Sequence, residues 1–456
     1  MQLYNTKSRK IEKFIPYEDG IVRMYTCGPT VYHYAHIGNL RSYIMEDVLE
    51  KTLNYIGYNV KRVMNITDVG HLSSDADTGE DKMLKGAKRE NKSVLDIAQI
   101  YTEAFFEDFK KLNIKKPEIV KEATAHIDDY IKIIEKLLET GYAYKAGGNI
   151  YFDTSKLTDY YVLTNHKEED KEKKNKSDFV LWFTKSKFDD QELKWDSPFG
   201  YGYPGWHIEC SGISMKYLGE YLDIHCGGVD NIFPHHTNEI AQSEAYLGHS
   251  WCKYWMHIEH LNDSTGKMSK SKGEFLTVSL LEQKGYNPLS YRLFCLSSHY
   301  RKQLVFSFEE LDRFNNMYEK MLKRIFEIKK DLNGTIQLEH VKNYKEMFKE
   351  KLKDDLNTAN ALTVLYEVIK NEDLTNDSKL ELIKDFDKVL SLGLLDYKEK
   401  EIDEELKKYI EQKIEERKTA KENKNYELAD LIRKELEEKG IIIKDTRDGV
   451  KYEVRG

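Results

Sequence analysis

The sequence predicts an α/β protein: a parallel sheet divided by an insertion, followed by an all-α helical bundle and a small α+β module at the carboxyl end. Two crossings from strand to helix, one beginning near Ile21 and one near Tyr221, indicate the parallel sheet. Beyond Phe306 the apolar residues follow long helical patterns. The chain has 456 residues, more than one hydrophobic core usually supports, so several domains are expected.

The first crossing runs from a strand over Ile21–Tyr25, through a turn at 26–30, into an amphipathic helix that ends at Gly57. Strand character resumes over Val60–Ile66. A strand, helix and strand of this length form a Rossmann-like unit of a parallel sheet. Ligands of such sheets bind beyond the carboxyl ends of the strands.

The insertion is expected to contain two helices and a hairpin. The helices are predicted over Ser93–Leu112 and His126–Thr140, and the hairpin over Tyr142–Asp153. The second crossing follows, with a strand over Tyr221–His225 and a helix that begins near Pro234, a residue favoured in the first helical turn.

Two further regions follow the sheet. A capping box at Ser307–Glu310 opens an all-helical region that extends to about residue 400. The final residues predict a charged amphipathic helix, a second helix ending at Gly440, a strand over Ile441–Ile443 and a turn at Asp448 and Gly449. We expect them to form a small separate module.

Composition disfavours several classes of protein. Apolar residues make up 40% and charged residues 33%, and no apolar run is long enough to cross a bilayer, so no membrane role is expected. Met1–Lys7 lacks a signal pattern, which predicts a cytoplasmic protein. Five scattered cysteines are too few for a disulfide framework, so Cys27 and Cys210 are candidates for metal binding or catalysis. The net charge of −8 disfavours a nonspecific nucleic-acid coat, although local basic patches could still recognise RNA.

Two short motifs indicate a site that acts on phosphates. His36-Ile37-Gly38-Asn39, with His33 one turn earlier, lies where the first strand gives way to a helix. The start of that helix offers N–H groups to phosphate, and Gly38 lets a ligand approach; an ordinary turn is the alternative. Lys267-Met268-Ser269-Lys270-Ser271 would place two ammonium groups on a glycine-flanked loop, which suits a leaving pyrophosphate. A solvated basic loop is the alternative there.

His235 and Glu239 could bind one metal ion. Their spacing of i and i+4 places an imidazole and a carboxylate on one face of a helix. Cys27, in the turn after the first strand, and Cys210 could reach the same edge of the sheet. Their separation is too large for a local zinc motif, so buried structural cysteines remain the alternative on spacing alone.

Together these motifs resemble those of the class I aminoacyl-tRNA synthetases, usually written HIGH and KMSKS, and within that class the chain most resembles the cysteinyl-tRNA synthetases. The resemblance covers nearly the whole chain. The matching segments are Thr26–Tyr32, His36–Asn39 with Arg41, Asn65–Asp68, Trp195 with Ser197-Pro198, Pro204–Ser211, Asp223–His225, Phe233–His236, Asn238–Ser243, the loop at 267–271 and Asp354–Thr358.

The resemblance implies an enzyme that activates L-cysteine with ATP to cysteinyl-adenylate and transfers it to the 3′-terminal adenosine of tRNA(Cys). It implies one Zn²⁺ per chain, which also binds the substrate thiol and so separates cysteine from serine without editing. The residues expected to bind this ion are Cys27, Cys210, His235 and Glu239.

The resemblance also assigns the nucleotide and amino-acid sites. The residues expected in catalysis are His36, Asn39, Lys267 and Lys270. ATP, with Mg²⁺, would contact the same four residues together with His33 and Gly38. The cysteine pocket would be lined by Thr67, Trp206 and Asp230, with the Asp230 carboxylate receiving the substrate ammonium.

The implied domains are the two halves of a Rossmann-like catalytic domain at 1–92 and 201–300, a connective insertion at 93–200, a helical bundle at 301–400 and an anticodon-binding module at 401–456. A monomer is expected. The charged segment Asn165–Asp178 is predicted to be a solvated loop, with a tRNA contact as the alternative. The basic residues of the module could bind tRNA or form a solvated face; they are Arg433, Lys444, Arg447, Lys451 and Arg455.

Several other residues need an interpretation. Cys252 and Cys295 are expected in the core. The three histidines that could contact the substrate or support the metal ligands are His236, His257 and His260. The chain departs from the family's pattern at Cys226, at Thr237, at 272–274 and after Asp68, and Cys226 stands as an alternative thiolate.

Two other functions remain open. One is a ligase that passes cysteine to a small amine, which the terminal module disfavours because such relatives lack it. The other is a non-catalytic RNA-binding paralogue, which the intact His36, Asn39, Lys267 and Lys270 disfavour. Cysteine-dependent exchange of pyrophosphate into ATP would separate an enzyme from a binding protein.

Overall fold

The computed structural model describes residues 1–69, 72–74, 78–163, 174–175, 177–185, 193–263, 266–267, 275–398, 404–446 and 449–454. The chain divides into two compact units, Met1–Asp396 and Tyr397–Gly456. No helix among these residues is both long and apolar enough to span a bilayer.

The strands of the described residues are β1 Gln2–Asn5, β2 Lys10–Lys13, β3 Ile21–Thr26, β4 Asn59–Ile66, β5 Leu72–Ser74, β6 Thr78–Asp81, β7 Ile119–Glu122, β8 Ala143–Ala146, β9 Asn149–Phe152, β10 Phe179–Phe183, β11 Tyr203–Pro204, β12 Leu222–Gly228, β13 Cys252–Ile258, β14 Leu261–Asp263, β15 Gly266–Lys267, β16 Leu304–Val305, β17 Ile441–Thr446 and β18 Gly449–Val454.

The helices are α1 Ile37–Tyr55, α2 Lys82–Glu90, α3 Val94–Lys111, α4 Ile127–Glu139, α5 Trp206–Leu218, α6 Thr237–Leu247, α7 Val278–Gln283, α8 Pro288–Leu296, α9 Phe308–Lys330, α10 Leu338–Lys353, α11 Thr358–Lys370, α12 Asn376–Leu390, α13 Glu404–Glu422 and α14 Tyr426–Glu438. Short helical turns occur at Ala123–His126, Thr154–Lys156, Val229–Asn231 and Ile232–His236.

The centre of the larger unit is a five-stranded sheet in the order β13-β12-β3-β4-β7. All four neighbouring pairs are parallel, which confirms the predicted Rossmann-like sheet. Helix α1 connects β3 to β4, and its apolar face is fully buried through Leu40, Ile44 and Leu53. The carboxyl ends of β3, β4 and β12 therefore lie at one edge of the sheet, where ligands of this fold bind.

The antiparallel sheet β11-β10-β9-β8 contains the predicted hairpin as its strands β8 and β9, and it packs on α4 and α5. Its core includes Tyr130, Phe152, Trp182 and Ile208, all nearly inaccessible to solvent. Strand β7 lies within the segment expected as an insertion, yet it pairs in parallel with β4 and so extends the central sheet.

The helix expected near Pro234 begins instead at Thr237. A five-residue π-helical turn, Ile232–His236, precedes it, and the extended backbone of Phe233 (φ −140°, ψ 132°) interrupts helical continuity there. The turn brings His235 and His236 into the interior rather than onto a regular helix face.

Helices α9 to α12 form the helical part of the larger unit, and α12 packs on α1. Ser307 caps α9 by accepting a hydrogen bond from the N–H of Glu310, as the capping box predicts. The smaller unit contains α13, α14 and the antiparallel pair β17–β18 around a core that includes Ile410, Leu436 and Ile441.

Arg433 is exposed on α14. Several other predicted positions lie outside what the structure describes: most of the charged segment at 165–178, residues 272–274, Arg447 and Arg455, and the side chains of Lys444 and Lys451.

Candidate active site and metal centre

A cavity of about 410 Å³ opens at the carboxyl ends of the central strands. Seven predicted site residues line it: Cys27, His33, His36, Gly38, Asn39, Trp206 and Asp230. The rest of the lining comes from the loop before α1, from α1 itself, from the ends of β12 and β13 and from α2 and α3. The parallel topology thus brings residues that are distant in sequence to one opening.

Four predicted ligand side chains meet next to this cavity, which Cys27 lines. The Sγ atoms of Cys27 and Cys210 lie 3.8 Å apart, and His235 Nε2 lies 3.4 Å from Cys210 Sγ. Glu239 Oε1 lies 3.1 Å from the same His235 nitrogen. One ligand atom from each side chain falls within 4.8 Å of all the others. These atoms are therefore close enough to share one metal ion.

The donor set fits zinc. Two thiols, one imidazole and one carboxylate are ligand types that Zn²⁺ takes in four-coordinate sites. Burial raises the pKa of the Cys27 thiol well above its usual value and also raises that of Cys210. Burial raises the pKa of Glu239 to about 8. A divalent cation would favour the deprotonated form of each group. Binding of an ion would therefore stabilise this buried cluster.

Further histidines surround these ligands, and His207 Nδ1 lies 2.9 Å from His235 Nδ1. His236 Nε2 lies 3.4 Å from Cys27 Sγ, and His225 Nε2 lies 2.9 Å from Glu239 Oε2. His257 Nε2 lies 2.7 Å from the other ring nitrogen of His236. Burial lowers the pKa of His225 and His257 to about 3, and that of His236 well below its usual value, so all three rings are neutral.

Cys27 and Glu239 also belong to a second group of possible ligands, completed by His225 and His236. The two groups share half of their members, so the structure allows two overlapping positions for an ion. The Cys226 sulfur is in neither group formed by the described residues. Cys226 is buried on β12, and its carbonyl oxygen accepts the N–H of Cys27 at 3.4 Å.

The turn that carries Cys27 is held by Asn65. The Asn65 side-chain oxygen accepts the Gly28 N–H at 2.8 Å and the Tyr25 hydroxyl at 3.1 Å. A Cβ atom at Gly28 would lie 1.6 Å from the Asn65 carbonyl oxygen, so only glycine fits after Cys27. Asn65 belongs to the matching segment Asn65–Asp68, but no role was predicted for it, although a polar residue inside a buried strand needs a hydrogen-bond partner.

The predicted amino-acid residues lie at different depths. The Thr67 hydroxyl is buried and donates to Glu209 Oε2 at 3.0 Å. The Trp206 ring packs on the His235 ring with centroids 4.1 Å apart. The Asp230 carboxylate is half exposed, 3.3 Å from His260 Nε2. Trp206 and Asp230 therefore line the cavity, whereas Thr67 is not among its lining residues; no role was predicted for Glu209.

The start of α1 forms another part of the cavity wall. His36 caps this helix, with Nδ1 accepting the Gly38 N–H at 3.1 Å. In the neutral ring, this arrangement leaves the proton on Nε2. Asn39 lies in the first turn and also lines the cavity. The backbone of Lys267 pairs with Asn262 in the β14–β15 hairpin.

The Lys267 side chain and Lys270 lie outside the described residues. Of the predicted basic loop at 267–271, the structure therefore describes only the backbone of Lys267.

Comparison with known proteins identifies relatives along the whole chain. The family described as tRNA synthetases class I (C) catalytic domain matches residues 13–316, and the DALR domain matches 347–394. The cysteine–tRNA ligase of Treponema denticola is 46% identical over 483 residues, covering 98% of each chain. That of Borrelia garinii is 44% identical over 482 residues, covering 99% of each chain.

Solved structures show the same fold. Mycobacterium tuberculosis methionyl-tRNA synthetase in complex with methionyl-adenylate has a TM-score of 0.55 at 12% identity, covering 82% of this chain and 90% of that chain. A second structure of that synthetase, also bound by methionyl-adenylate, has a TM-score of 0.53 at 13% identity, covering 81% of this chain and 90% of that chain.

Proposed function

Because the chain belongs to the cysteine–tRNA ligases, a family of class I tRNA synthetases, we propose that its buried cluster holds one Zn²⁺ in a cysteine-activating site. The enzyme joins L-cysteine and ATP to form cysteinyl-adenylate and then esterifies the 3′-terminal adenosine of tRNA(Cys). The convergence of the four ligand atoms within 4.8 Å, from positions as far apart as Cys27 and Glu239, supports this proposal.

The cluster would select the amino acid. When bound, zinc would favour the thiolate of cysteine over the harder hydroxyl of serine, two groups that shape separates weakly. The residues proposed to bind the ion are Cys27, Cys210, His235 and Glu239. Trp206 packs on His235 and limits the orientation of that ligand ring. The half-exposed Asp230 carboxylate is suited to accept the substrate ammonium.

The start of α1 would bind ATP. The N–H groups of its first turn are already hydrogen-bonded within the chain, that of Ile37 to the Leu276 carbonyl oxygen and that of Gly38 to His36 Nδ1. The Nε2–H of His36 can donate to phosphate oxygens, Asn39 adds an amide beside it, and the helix dipole favours an anion there. His33 and Gly38 complete this part of the cavity. We assign Lys267 and Lys270 to the leaving pyrophosphate, with Mg²⁺ accompanying ATP. The substrate carboxylate attacks the α-phosphorus and pyrophosphate leaves; the adenosine 2′-hydroxyl then attacks the acyl carbon and AMP leaves.

Cys27→Ser tests the metal site, and Cys295→Ser is its matched control because that buried cysteine lies in α8, outside the proposed ligand set. Purified wild-type protein should contain one zinc per chain. Cys27→Ser should lose most of the zinc and raise KM for cysteine in pyrophosphate exchange, whereas Cys295→Ser should retain both properties. Full zinc content in Cys27→Ser would remove this residue from the ligand set.

The alternative acceptors are tested by the same preparation. Exchange without charging of tRNA(Cys) would favour the ligase that uses a small amine, and no exchange would leave only an RNA-binding role. We further propose that the enzyme is a cytoplasmic monomer, and sedimentation equilibrium of the full chain tests its oligomeric state.

A further inference from the structure

Aromatic side chains form one side of the mouth of the cavity. Tyr34 and Tyr101 meet edge to face with ring centroids 5.0 Å apart. His33 lies parallel to Tyr101, with centroids 5.9 Å apart and planes inclined by 5°, and contacts Phe275 at 4.5 Å. We call Tyr34 and Tyr101 the aromatic wall. Both line the cavity that also contains His36 and Asp230.

In the aromatic wall, the Tyr101 ring is buried and fixed by hydrogen bonds, whereas the Tyr34 ring is exposed. Tyr101 is 5% exposed, and its hydroxyl donates to Glu90 and accepts from Arg89 Nη2 at 3.2 Å. Arg89 also donates to the Tyr32 carbonyl oxygen at 3.0 Å, which ties α2 to the loop before α1. Tyr34 is 48% exposed. A large ring that is held at its base and open to solvent is suited to stack on a ligand.

The helix beside the wall is basic. Helix α2 contains Lys82, Lys85, Lys88 and Arg89 but a single carboxylate, Glu90. Lys85, Lys88 and Arg89 are exposed. The whole chain, by contrast, has a net charge of −8. A local cluster of cations beside an exposed ring is a combination that binds single-stranded nucleic acid, since cations contact phosphates and rings stack on bases.

The opposite wall leaves room for the nucleotide. It is built by the ends of β12 and β13, including Gly228 and the residues Ile258–Leu261. A Cβ atom at Gly228 would meet nothing closer than 3.7 Å, so the backbone is open to a ligand there. This wall, together with the first turn of α1, suits the adenylate. The aromatic wall is then free for the second substrate, whose reacting hydroxyl must enter the same cavity.

We propose that the aromatic wall binds the single-stranded 3′ end of the tRNA, with one terminal base stacked on Tyr34. This inference rests on the proposed function, because it assigns a place to the acceptor of the transfer step. Single-stranded RNA ends present unstacked bases, which proteins recognise by stacking on aromatic rings. The exposed lysines of α2 contact the adjoining phosphates.

Tyr34→Ala tests the proposal, Tyr34→Phe retains the ring, and Tyr221→Ala is a matched control. Tyr221 is also 48% exposed but precedes β12 at the amino end of the sheet. Loss of one stacked base should lower kcat/KM for tRNA charging by ~5–150-fold. Pyrophosphate exchange, measured without tRNA, should change by less than about twofold. Tyr34→Phe and Tyr221→Ala should charge tRNA at close to the wild-type rate.

A second measurement identifies the contacted part of the tRNA. Full-length tRNA should bind Tyr34→Ala more weakly than wild type, whereas tRNA shortened by its terminal nucleotides should bind both proteins equally. Equal charging by Tyr34→Ala and wild type would overturn the proposal. So would parallel losses of exchange and charging, because the ring would then serve the adenylate. Absence of exchange in the wild-type enzyme would instead refute the proposed function on which this inference depends.

Discussion

The Arg41 guanidinium fixes the start of α1 to the cavity-lining segment after β13. Arg41 is 1% exposed. It donates to the carbonyl oxygens of Glu259 at 2.7 Å, His260 at 2.6 Å and Lys302 at 2.7 Å. Glu259 and His260 line the cavity, and His260 also lies 3.3 Å from the Asp230 carboxylate. One buried side chain thus sets the distance between the proposed phosphate site and the proposed ammonium site.

Substitution of Arg41 should cost both stability and activity. Each hydrogen bond from a charged donor contributes roughly 1.5–3 kcal/mol, and relief of guanidinium desolvation offsets part of their sum, so Arg41→Met should lower the free energy of unfolding by ~3–5 kcal/mol. Arg41→Lys retains the charge but not the planar arrangement of donors, so it should lower the free energy of unfolding by about 2 kcal/mol. A shift of about 1 Å at a reacting group can cost ~100-fold in rate, so kcat for exchange should fall ~10–100-fold in Arg41→Lys.

Pyrophosphate exchange and urea unfolding of Arg41→Lys measure these effects, with the rate taken well below the melting temperature. Arg313→Lys is the control, since that side chain is 70% exposed in an ion pair on α9. Its stability and rate should stay close to wild type, as expected for an exposed pair. If Arg41→Lys kept the wild-type kcat while losing stability, the residue would be structural only. If it kept both, the reasoning from its carbonyl contacts would be wrong.

Two further predictions concern stability. Burial raises the pKa of Asp108 to about 7. Because the folded state then binds this proton more tightly than the unfolded chain does, the contribution of Asp108 to the free energy of unfolding falls as pH rises from about 4 to about 7 and is constant above. Asp108→Asn should therefore raise the melting temperature at pH about 8 but hardly at pH about 4, and equal shifts at both would contradict the assignment. The buried Arg292 guanidinium donates to Asp47 Oδ2 at 2.6 Å and to the Leu112 and Leu390 carbonyl oxygens at 3.0 and 2.7 Å. Arg292→Met should lower the free energy of unfolding by about 3 kcal/mol, and the double variant with Asp47→Asn should lose less than the sum of the two single losses; additive losses in urea unfolding would refute the coupling.

Local signals predicted most of the secondary structure. The periodicity of apolar residues and the closing glycine placed α1, and Ser93 caps α3 through the reciprocal hydrogen bonds of a capping box with Asp96. Such features depend on neighbours in sequence, so they can be predicted without knowledge of the tertiary contacts. The start of α6 was predicted too early because the break at Phe233 produces a π-helical turn, which no local pattern signals.

The site depends on contacts that spacing cannot show. Cys27 and Cys210 are far apart in sequence, and only the parallel sheet together with α5 brings their sulfur atoms to 3.8 Å. The supporting residues were harder to find, because His225 and Asn65 lie inside buried strands whose pattern suggests packing. Both are polar positions in otherwise apolar segments, where burial requires a hydrogen-bond partner. That requirement, together with their place in segments that match the family, is the sequence signal for them.

The cavity unites three sets of residues that different elements supply. The ligand cluster comes from the end of β3, from α5 and from the start of α6; the phosphate site comes from α1; and the aromatic wall comes from the loop before α1 and from α3. Because different elements supply the three sets, a substitution in one set should change one kind of measurement. A change in the ligand cluster should alter zinc content and KM for cysteine, a change in the phosphate site the rate of exchange, and a change in the aromatic wall the charging of tRNA. Arg41 should be the exception, since its carbonyl contacts join α1 to the segment after β13. A variant of the aromatic wall that lost zinc would show that the sets are coupled, and the separate assignments would then have to be abandoned.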